Sequence, residues 1–517
     1  DRLDFGKRAS EWFTPYVSSP TIALVIAPIP SGRLRLLLSA TYSGDVAKRK
    51  KQWERQTVLD LEYEGRGIIK PEGLVIFVDD VLPGEVVDVS IYKWKKRFGF
   101  ARVTKWHETS PERITPFCRH FEHCGGCRWQ YLTYDRQVHW KQYFLAQVYR
   151  QLAPDVTLPE MDSLLPATSD RRYRNKLDFS FSDRRWLTPE EIDSGESFSD
   201  RNALGFHVRG HFDKVLEIEE CHLQPEPSNE IRNAIADFAR QREFTFFNPR
   251  DNAGLLRSLI IRNSQGSADA PAEIMVIVVF GEHNPAARGE IVSFLSNRFP
   301  SITSLYTTVN TTGNDSIAHC TMELQSGAPH ITEFIDGIEF VIGPKTFFQT
   351  NPDQARRLYR LVLDWAALNG TETVFDMYCG TGSISLLAAQ QASEVFGVES
   401  VAEAIEGARY NAERNEIKNV HFAAGEVEAV LKDGFPGNRG RPDLVILDPP
   451  RAGMHPRVVQ TLLAELPPRI IYVSCKPSTQ ARDVSMLSEA YDVKRMRGVD
   501  MFPQTYHIES VVELVRK

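Results

Sequence analysis

The chain has 517 residues, more than one ordinary hydrophobic core accommodates, and this length predicts about three domains. Its 42% apolar and 25% charged residues exclude a disordered or fibrous chain and fit a soluble globular one. The formal net charge of -7 excludes a uniformly basic surface, so a nucleic-acid partner has to be held by local patches. Seven cysteines, three of them between Cys118 and Cys127, are too few and too uneven for a secreted disulfide framework and point to a reducing cytoplasm. The apolar stretch 22–38 is broken by Pro28, Pro30, Gly32, Arg33 and Arg35, short of the unbroken run of roughly 20 residues that a membrane span needs, so no membrane partner is expected. Residues 1–50 show neither clean periodicity nor the order of charge, apolar run and cleavage site of a signal peptide, and are read as an extension of unknown role.

Over 51–108, short alternating runs at 58–63, 74–78, 85–92 and 101–106 are separated by Gly65-Arg66-Gly67 and Pro83-Gly84. This spacing predicts a small antiparallel β-barrel. The Gly-Arg-Gly turn, the Leu82-Pro83-Gly84-Glu85 string and the basic stretch that follows resemble a TRAM domain, an RNA-binding, OB-like barrel attached to several RNA-modifying enzymes. Lys and Arg balance Asp and Glu in this segment, but Lys93, Lys95, Lys96 and Arg97 gather in one hairpin beside Trp94. The hairpin is either a solvated tip or a phosphate contact.

Residues 109–340 form the next predicted domain. Cys118, Cys124 and Cys127 lie close together, with Gly125-Gly126 letting the backbone wrap between two of them and Arg128-Trp129-Gln130 following. Three neighbouring thiolates repel unless a cation absorbs their charge, which points to a metal centre. Spacing leaves zinc and iron-sulfur equally open, since both accept four thiolates. Further on, Arg171-Arg172-Tyr173-Arg174-Asn175-Lys176 sets an aromatic among cations, a pattern suited to unstacked RNA or to a plain solvated strand edge. Strand-like runs at 255–262, 274–280 and 304–309 alternate with helix-like runs at 229–241 and 287–298, giving an α+β central domain.

From residue 341 the chain predicts a third domain. Asn351-Pro352 opens a helix whose Leu358, Leu361, Val362 and Trp365 recur at core-facing spacing. Strands at 373–377, 395–399, 444–447 and 470–473 then alternate with helices from Ser383 and over 401–415, and a last strand pair lies near Val493 and Val511. Such alternation predicts a doubly wound, largely parallel, Rossmann-like α/β sheet that binds ligands at the carboxyl ends of its strands. Gly380-x-Gly382-x-x-Ser385 lacks the third glycine of a dinucleotide fingerprint, and Glu399 ends the second strand where a carboxylate grips ribose hydroxyls. A nucleoside cofactor without a pyrophosphate fits this turn.

Leu447-Asp448-Pro449-Pro450-Arg451-Ala452-Gly453, Val473-Ser474-Cys475-Lys476-Pro477 and His507-Ile508-Glu509 supply an orienting carboxylate, a nucleophile and a base. Together with Phe375-Asp376-Met377-Tyr378-Cys379-Gly380-Thr381-Gly382, these strings resemble the RNA uracil-5-methyltransferase family that uses S-adenosylmethionine. The resemblance covers roughly residues 51–517 and is nearest to the 23S ribosomal RNA enzymes that carry a TRAM domain and a 4Fe-4S cluster. It implies Cys475 as the nucleophile that adds to carbon 6 of uracil and Glu509 as the base at carbon 5. It places Phe347 and Asp448 at the substrate, and Gln349, Tyr378, Gly380, Gly382, Ser383, Glu399 and Asp448 at the cofactor. Ser383 stands where many members have Asn. For the cysteines the resemblance implies a 4Fe-4S cluster on Cys118, Cys124, Cys127 and Cys221, while Cys320 and Cys379 match no ligand position. The implied protein is a cytoplasmic monomer acting on RNA, most typically ribosomal. A transfer RNA enzyme and a non-catalytic iron-sulfur RNA-binding protein are the alternatives. Arg451 after Pro450 disfavours exocyclic-amine methylation, which needs an aromatic there, and cytosine-5 methylation, which needs a cysteine.

Overall fold

The computed structural model describes residues 50–432 and 441–517. The extension expected over 1–50 lies outside them, save its last residue. From residue 51 onward the chain forms one compact unit.

The first element is a six-stranded sheet of β1 (Gln52–Thr57), β2 (Asp60–Leu61), β3 (Gly67–Ile69), β4 (Val75–Val78), β5 (Val86–Trp94) and β6 (Phe98–Glu108), ordered β1-β5-β6-β4-β3-β2. Its alternate residues, among them Trp53, Ile69, Ile76, Val78, Val89, Ile91 and Ala101, close on a single interior, which is the expected barrel core. The pairing is antiparallel except between β4 and β6, which run parallel. Gly65 sits in the left-handed region at φ 83°, and a Cβ there would come within 2.1 Å of the Trp129 indole nitrogen. Only glycine permits that approach, so the β2–β3 turn docks directly on the segment that follows the cysteines.

The central sheet contains β8 (Lys176–Ser182), β9 (Ala203–His207), β10 (Val215–Glu217), β11 (Leu256–Asn263), β12 (Ile274–Phe280), β13 (Ser304–Val309) and β14 (Glu323–Gly327), after the short β7 (Asp162–Leu165). Helices Ser228–Gln241 and Pro285–Arg298 cover one face through Ile231, Ile235, Ile291 and Leu295. The other face, carrying Ile260, Met275, Ile277 and Val279, packs on the β15 (Ile331–Ile335) and β16 (Ile338–Ile342) hairpin and on helix Pro352–Ala366. Every residue of β12 is therefore buried, which explains its unbroken apolar run.

The C-terminal sheet has the order β19-β18-β17-β20-β21-β23-β22-β7, built from β17 (Thr373–Met377), β18 (Glu394–Glu399), β19 (Val420–Ala424), β20 (Leu444–Leu447), β21 (Arg469–Ser474), β22 (Tyr491–Val499) and β23 (Glu509–Arg516). β17 to β21 run parallel, with the order reversing beside β17, and β23 is antiparallel to both neighbours. Two elements cross the boundary expected at residue 340. β7 pairs with β22 as the edge strand of this sheet, and helix Tyr134–Leu152 packs Leu145 and Tyr149 into the same core as Tyr472 and Val484.

That helix is fastened by charge as well as by apolar packing. Lys141 Nζ donates to Asp500 Oδ1 at 2.7 Å, and both side chains are fully excluded from solvent. Tyr134 donates to the other carboxylate oxygen at 3.0 Å. Burial costs each ion several kcal/mol, which only the partner's charge and the added hydrogen bonds offset. Lys141→Met is expected to destabilise the protein by about 3–5 kcal/mol because it strands a buried carboxylate, read as a lowered denaturant midpoint. A variant also carrying Asp500→Leu is expected to recover part of that loss.

Candidate active site

Cys475 follows the last residue of β21, and Glu509 is the first of β23. These strands pair antiparallel with Ser474 opposite Ser510, so the next step of the register sets Cys475 opposite Glu509. Asp448 follows β20, the neighbour of β21 on the other side. All three functional groups thus meet at one end of three adjacent strands. Buried Gln480 clamps two of the strands from behind, donating to the carbonyls of Tyr472 at 2.7 Å and Ser510 at 3.1 Å. The Asp-Pro-Pro-Arg-Ala-Gly loop is held by Asp483, which accepts from the Met454 amide at 2.8 Å and the Tyr472 hydroxyl at 2.7 Å. Gly453, at φ 79°, is required there because a Cβ would lie 2.6 Å from the Asp483 carboxylate.

The groups bias one another toward neutrality. Burial, reinforced by Asp448, pushes Glu509 up to about 8, and burial with Asp376 pushes Asp448 up to about 7. Burial, Glu509 and Asp448 push the Cys475 thiol up to about 11. Arg451 works against two of these shifts, favouring the charged forms of Cys475 and Glu509 as a nearby cation. The sequence reading used Arg451 only to exclude other chemistries. Its signal was a cation inside the nucleophile's own motif set.

The adjoining cleft is shaped by the turn after β17. Tyr378, Gly380 and Gly382 all have positive φ, at 67°, 56° and 79°. A Cβ on Gly380 would meet nothing within 4 Å, so the turn opens onto free space. Glu399 is fixed at its edge by the amides of Gly380 at 3.2 Å and Val401 at 2.9 Å. Below it, Asp376 accepts from Ser385 at 2.5 Å, while its other oxygen is buried with no hydrogen-bond partner among the described residues. Burial pushes Asp376 up to about 7. A glycine cradle, a fixed carboxylate and an unpartnered polar atom fit a nucleoside-bearing ligand. Buried Tyr359 of helix Pro352–Ala366 lies close enough to Ser383 and Asp448 to feel both, and Asp448 is the strongest charge acting on it. Tyr359 thus lies between the glycine turn and Asp448. Tyr359 is not among the residues that the helix's core-facing spacing singles out.

Phe347 and Gln349 lie on the loop after β16, pinned through its backbone. Arg262 donates to the Thr346 carbonyl at 2.6 Å, and Asn175 donates to the Gln349 carbonyl at 3.1 Å. Phe347 is left 71% exposed, the most open large apolar side chain described. The basic string is thus largely structural: Tyr173 donates to the Pro503 carbonyl at 2.9 Å, Asn175 holds the loop, and Arg174 and Lys176 line a cavity.

That cavity, of about 330 Å³, is also lined by Cys118, Cys124, Cys127 and Cys221. No group of three or more His, Cys, Asp or Glu side chains among the described residues is arranged to hold a single metal ion. Burial, with the other thiols of the set, pushes Cys124 and Cys127 up to about 12 and raises Cys118. Cys320 and Cys379 lie elsewhere and are buried.

The isosteric change Glu509→Gln is expected to stabilise the protein increasingly with pH. A carboxyl raised to about 8 when folded holds its proton longer than in the unfolded chain, so wild-type stability falls as pH rises from about 4.5 to 8 and then levels. The gain at pH 8 is expected to be on the order of a few kcal/mol, measured by denaturant titration at pH 5 and 8.

The sequence pattern of the tRNA (uracil-5-)-methyltransferase family matches residues 338–517, and that of the TRAM domain matches 54–104. An uncharacterized RNA methyltransferase of Bacteroides thetaiotaomicron is 45% identical over 454 residues, 87% of this chain and 99% of the relative. One from Porphyromonas gingivalis is 43% identical over 466 residues, 89% of this chain and 99% of its own length. The crystal structure of Pyrococcus abyssi tRNA (uracil-54, C5)-methyltransferase in complex with S-adenosyl-L-homocysteine matches with a TM-score of 0.68 and 29% identity, covering 89% of this chain and 99% of that one. With the glycine cradle and the strand-end groups in place, the chain belongs to the S-adenosylmethionine-dependent RNA uracil-5-methyltransferase family and carries a TRAM domain ahead of its catalytic domain.

Proposed function

We propose that this RNA uracil-5-methyltransferase acts on a uridine in a loop of 23S ribosomal RNA, through a covalent adduct of Cys475 with carbon 6 of the ring. The observation that carries the covalent route is the meeting of Cys475, Glu509 and Asp448 at adjacent strand ends beside the cation Arg451. Carbon 5 of uracil is a poor nucleophile. Addition of the Cys475 thiolate to carbon 6 moves the ring's double-bond electrons toward the carbon 4 carbonyl, and the enolate so formed makes carbon 5 nucleophilic. S-adenosylmethionine, when bound, supplies an electrophilic methyl group: carbon 5 takes it as the methyl–sulfur bond breaks, the bonding pair staying on the sulfur of the departing S-adenosylhomocysteine. Glu509 then removes the proton from carbon 5, and the released electron pair restores the ring double bond and expels the thiolate. Arg451 favours the thiolate, Asp448 faces the uracil edge, and Phe347 lies against its face. Gln349, Tyr378, Gly380, Gly382, Ser383 and Glu399 hold the donor, with Asp448 at its reactive end.

The ribosomal target rests on the resemblance of the barrel and the four-cysteine set to the bacterial ribosomal enzymes. A loop uridine lowers the cost of unstacking the base by a few kcal/mol. In this reading a cytoplasmic monomer modifies the RNA before the ribosome is assembled. A second reading, transfer RNA, is favoured by the full-length likeness to the Pyrococcus abyssi enzyme, named for uridine 54 of tRNA. Purified protein offered protein-free 23S RNA and unmodified transfer RNA with labelled donor is expected to label 23S RNA; label confined to transfer RNA selects the second reading. On the accepted substrate, Cys475→Ala is expected to lower turnover by roughly 10⁴-fold or more, the scale on which loss of a covalent nucleophile acts. Glu509→Gln is expected to accumulate a denaturation-resistant protein–RNA adduct, because the base acts after the thiolate. Near-normal turnover by Cys475→Ala overturns the covalent route.

We also propose that Cys118, Cys124, Cys127 and Cys221 hold a 4Fe-4S cluster, supported by their sharing one cavity and by thiols whose ionisation demands a compensating cation. When bound, the cluster supplies that charge and ties residues 118–127 to Cys221. Thr350 and Arg174 line the same cavity, so the centre supports the Phe347 loop from below. Protein purified without oxygen is expected to be brown with about four irons per chain, and stoichiometric zinc without iron overturns the assignment.

A further inference from the structure

One turn of the barrel reaches the loop that leads into the candidate base. Tyr63 lies between β2 and β3, in a turn fixed from within: the Gly65 amide donates to the Glu62 carbonyl at 2.7 Å, and the Glu62 amide donates to the Arg66 carbonyl at 2.8 Å. Arg66 adds ion pairs to Glu62 at 3.2 Å and to Glu64 at 2.6 Å. Gly65 rests on Trp129, and the amides of Arg128 and Trp129 donate to the Gln504 carbonyl at 2.7 and 3.2 Å. The turn is thereby stapled to the segment that precedes Glu509. Between them the half-buried Tyr63 ring is held edge-on by Phe144 of helix Tyr134–Leu152 and by Tyr506, each at 6.2 Å between ring centres. Tyr506 stands three residues before Glu509.

Ring packing by itself leaves the hydroxyl no role, since phenylalanine fills the same space. A tyrosine hydroxyl held among packed groups ordinarily finds a hydrogen-bond partner, and that of Tyr63 has none among the described residues. Of the groups that act on it electrically, Glu509 is the strongest, ahead of Tyr506, Cys475 and Arg451. Burial, with Glu509, Tyr506 and Cys475 adding to it, raises the ionisation of Tyr63 above its ordinary value, so the hydroxyl keeps its proton and is available as a donor.

We propose that Tyr63 is a catalytic residue supplied by the barrel, its hydroxyl donating to the carbon 4 oxygen of the target uracil, where negative charge develops as the thiolate adds. The assignment rests on the covalent route through Cys475, in which Cys475 meets carbon 6 and Glu509 meets carbon 5. A group on which Glu509 acts more strongly than Cys475 stands on the carbon 4 side of the ring, because carbon 4 adjoins carbon 5 while carbon 2 lies across from it. A hydrogen bond at that oxygen strengthens when the carbonyl becomes an enolate, so it lowers the barrier to addition instead of only holding the base.

The test compares full-length wild type with Tyr63→Phe, which keeps the ring contacts and removes only the hydroxyl, on the accepted RNA carrying either uridine or 4-thiouridine at the target. Tyr63→Phe is expected to lower kcat on uridine by roughly 10- to 100-fold with KM little changed, the scale on which loss of one oxyanion donor acts. On 4-thiouridine, whose sulfur is a weaker acceptor than oxygen, most of the gap between wild type and Tyr63→Phe is expected to close. Wild-type kcat in Tyr63→Phe overturns the assignment, and so does an equal loss on uridine and 4-thiouridine, because the hydroxyl then acts away from the carbon 4 oxygen. A readout apart from turnover is the covalent adduct: with Glu509→Gln as background, adding Tyr63→Phe is expected to slow adduct accumulation by a similar factor, and an unchanged rate overturns a role in the addition step. Wild type that methylates uridine while Glu509→Gln forms no adduct overturns the covalent route instead, and the two kcat ratios then decide the role of Tyr63 by themselves.

Discussion

Lys141 and Asp500 meet where water has no access, and the position of Glu509 depends on that meeting. Two charges buried together tolerate little displacement, because separating them exposes each to the full cost of a low-dielectric interior. The pair fixes helix Tyr134–Leu152 against the loop that runs from β22 to Glu509. Beside it, Gln137 and Gln504 bond reciprocally at 2.9 Å, and Gln137 also holds the carbonyls of Trp129 and Leu132. Trp129 packs under Gly65 of the barrel. One buried polar knot thereby joins the barrel, the cysteine segment and the strand that carries the candidate base.

Around that knot the site is electrostatically restrained. A thiol pushed to about 11 and carboxyls near 7 and 8 keep the pocket close to neutral, with Arg451 as the group that favours charge. Such an arrangement limits repulsion among the three acids. Burial is the first cause of the rise in all three acids.

The central domain acts as a frame. Its sheet is apolar on both faces because one side takes its own helices and the other takes the hairpin and helix leading into the C-terminal sheet. The Phe347 loop emerges from that second contact, held by Arg262 and Asn175 through carbonyl oxygens so that its side chains are free. The cysteine cavity abuts the same loop through Thr350. Loss of order at the cysteines would thus reach Phe347 without touching the catalytic strands.

Sequence by itself determined the parts whose signals are local. Strands Thr373–Met377 and Leu444–Leu447 fall where their apolar runs place them, Asn351 caps its helix through the Gln354 amide, and the glycine turn has the left-handed backbone that its glycines foretell. The motif strings named candidate groups that the fold brings together, because each lies within a few residues of a strand end. What periodicity missed was helix Tyr134–Leu152, since its buried stripe includes Gln137 and Lys141, polar residues that look solvent-facing until distant partners satisfy them. Strand β7 was likewise too short to read, and it exists as the edge partner of β22. The tertiary structure alone decided that Cys475 and Glu509 follow the paired residues Ser474 and Ser510 at one end of two strands, that Arg451 acts on both and that Tyr63 lies against Tyr506. Local sequence encodes which face of an element is apolar; pairing register and the partners of buried charges arise only when distant segments pack.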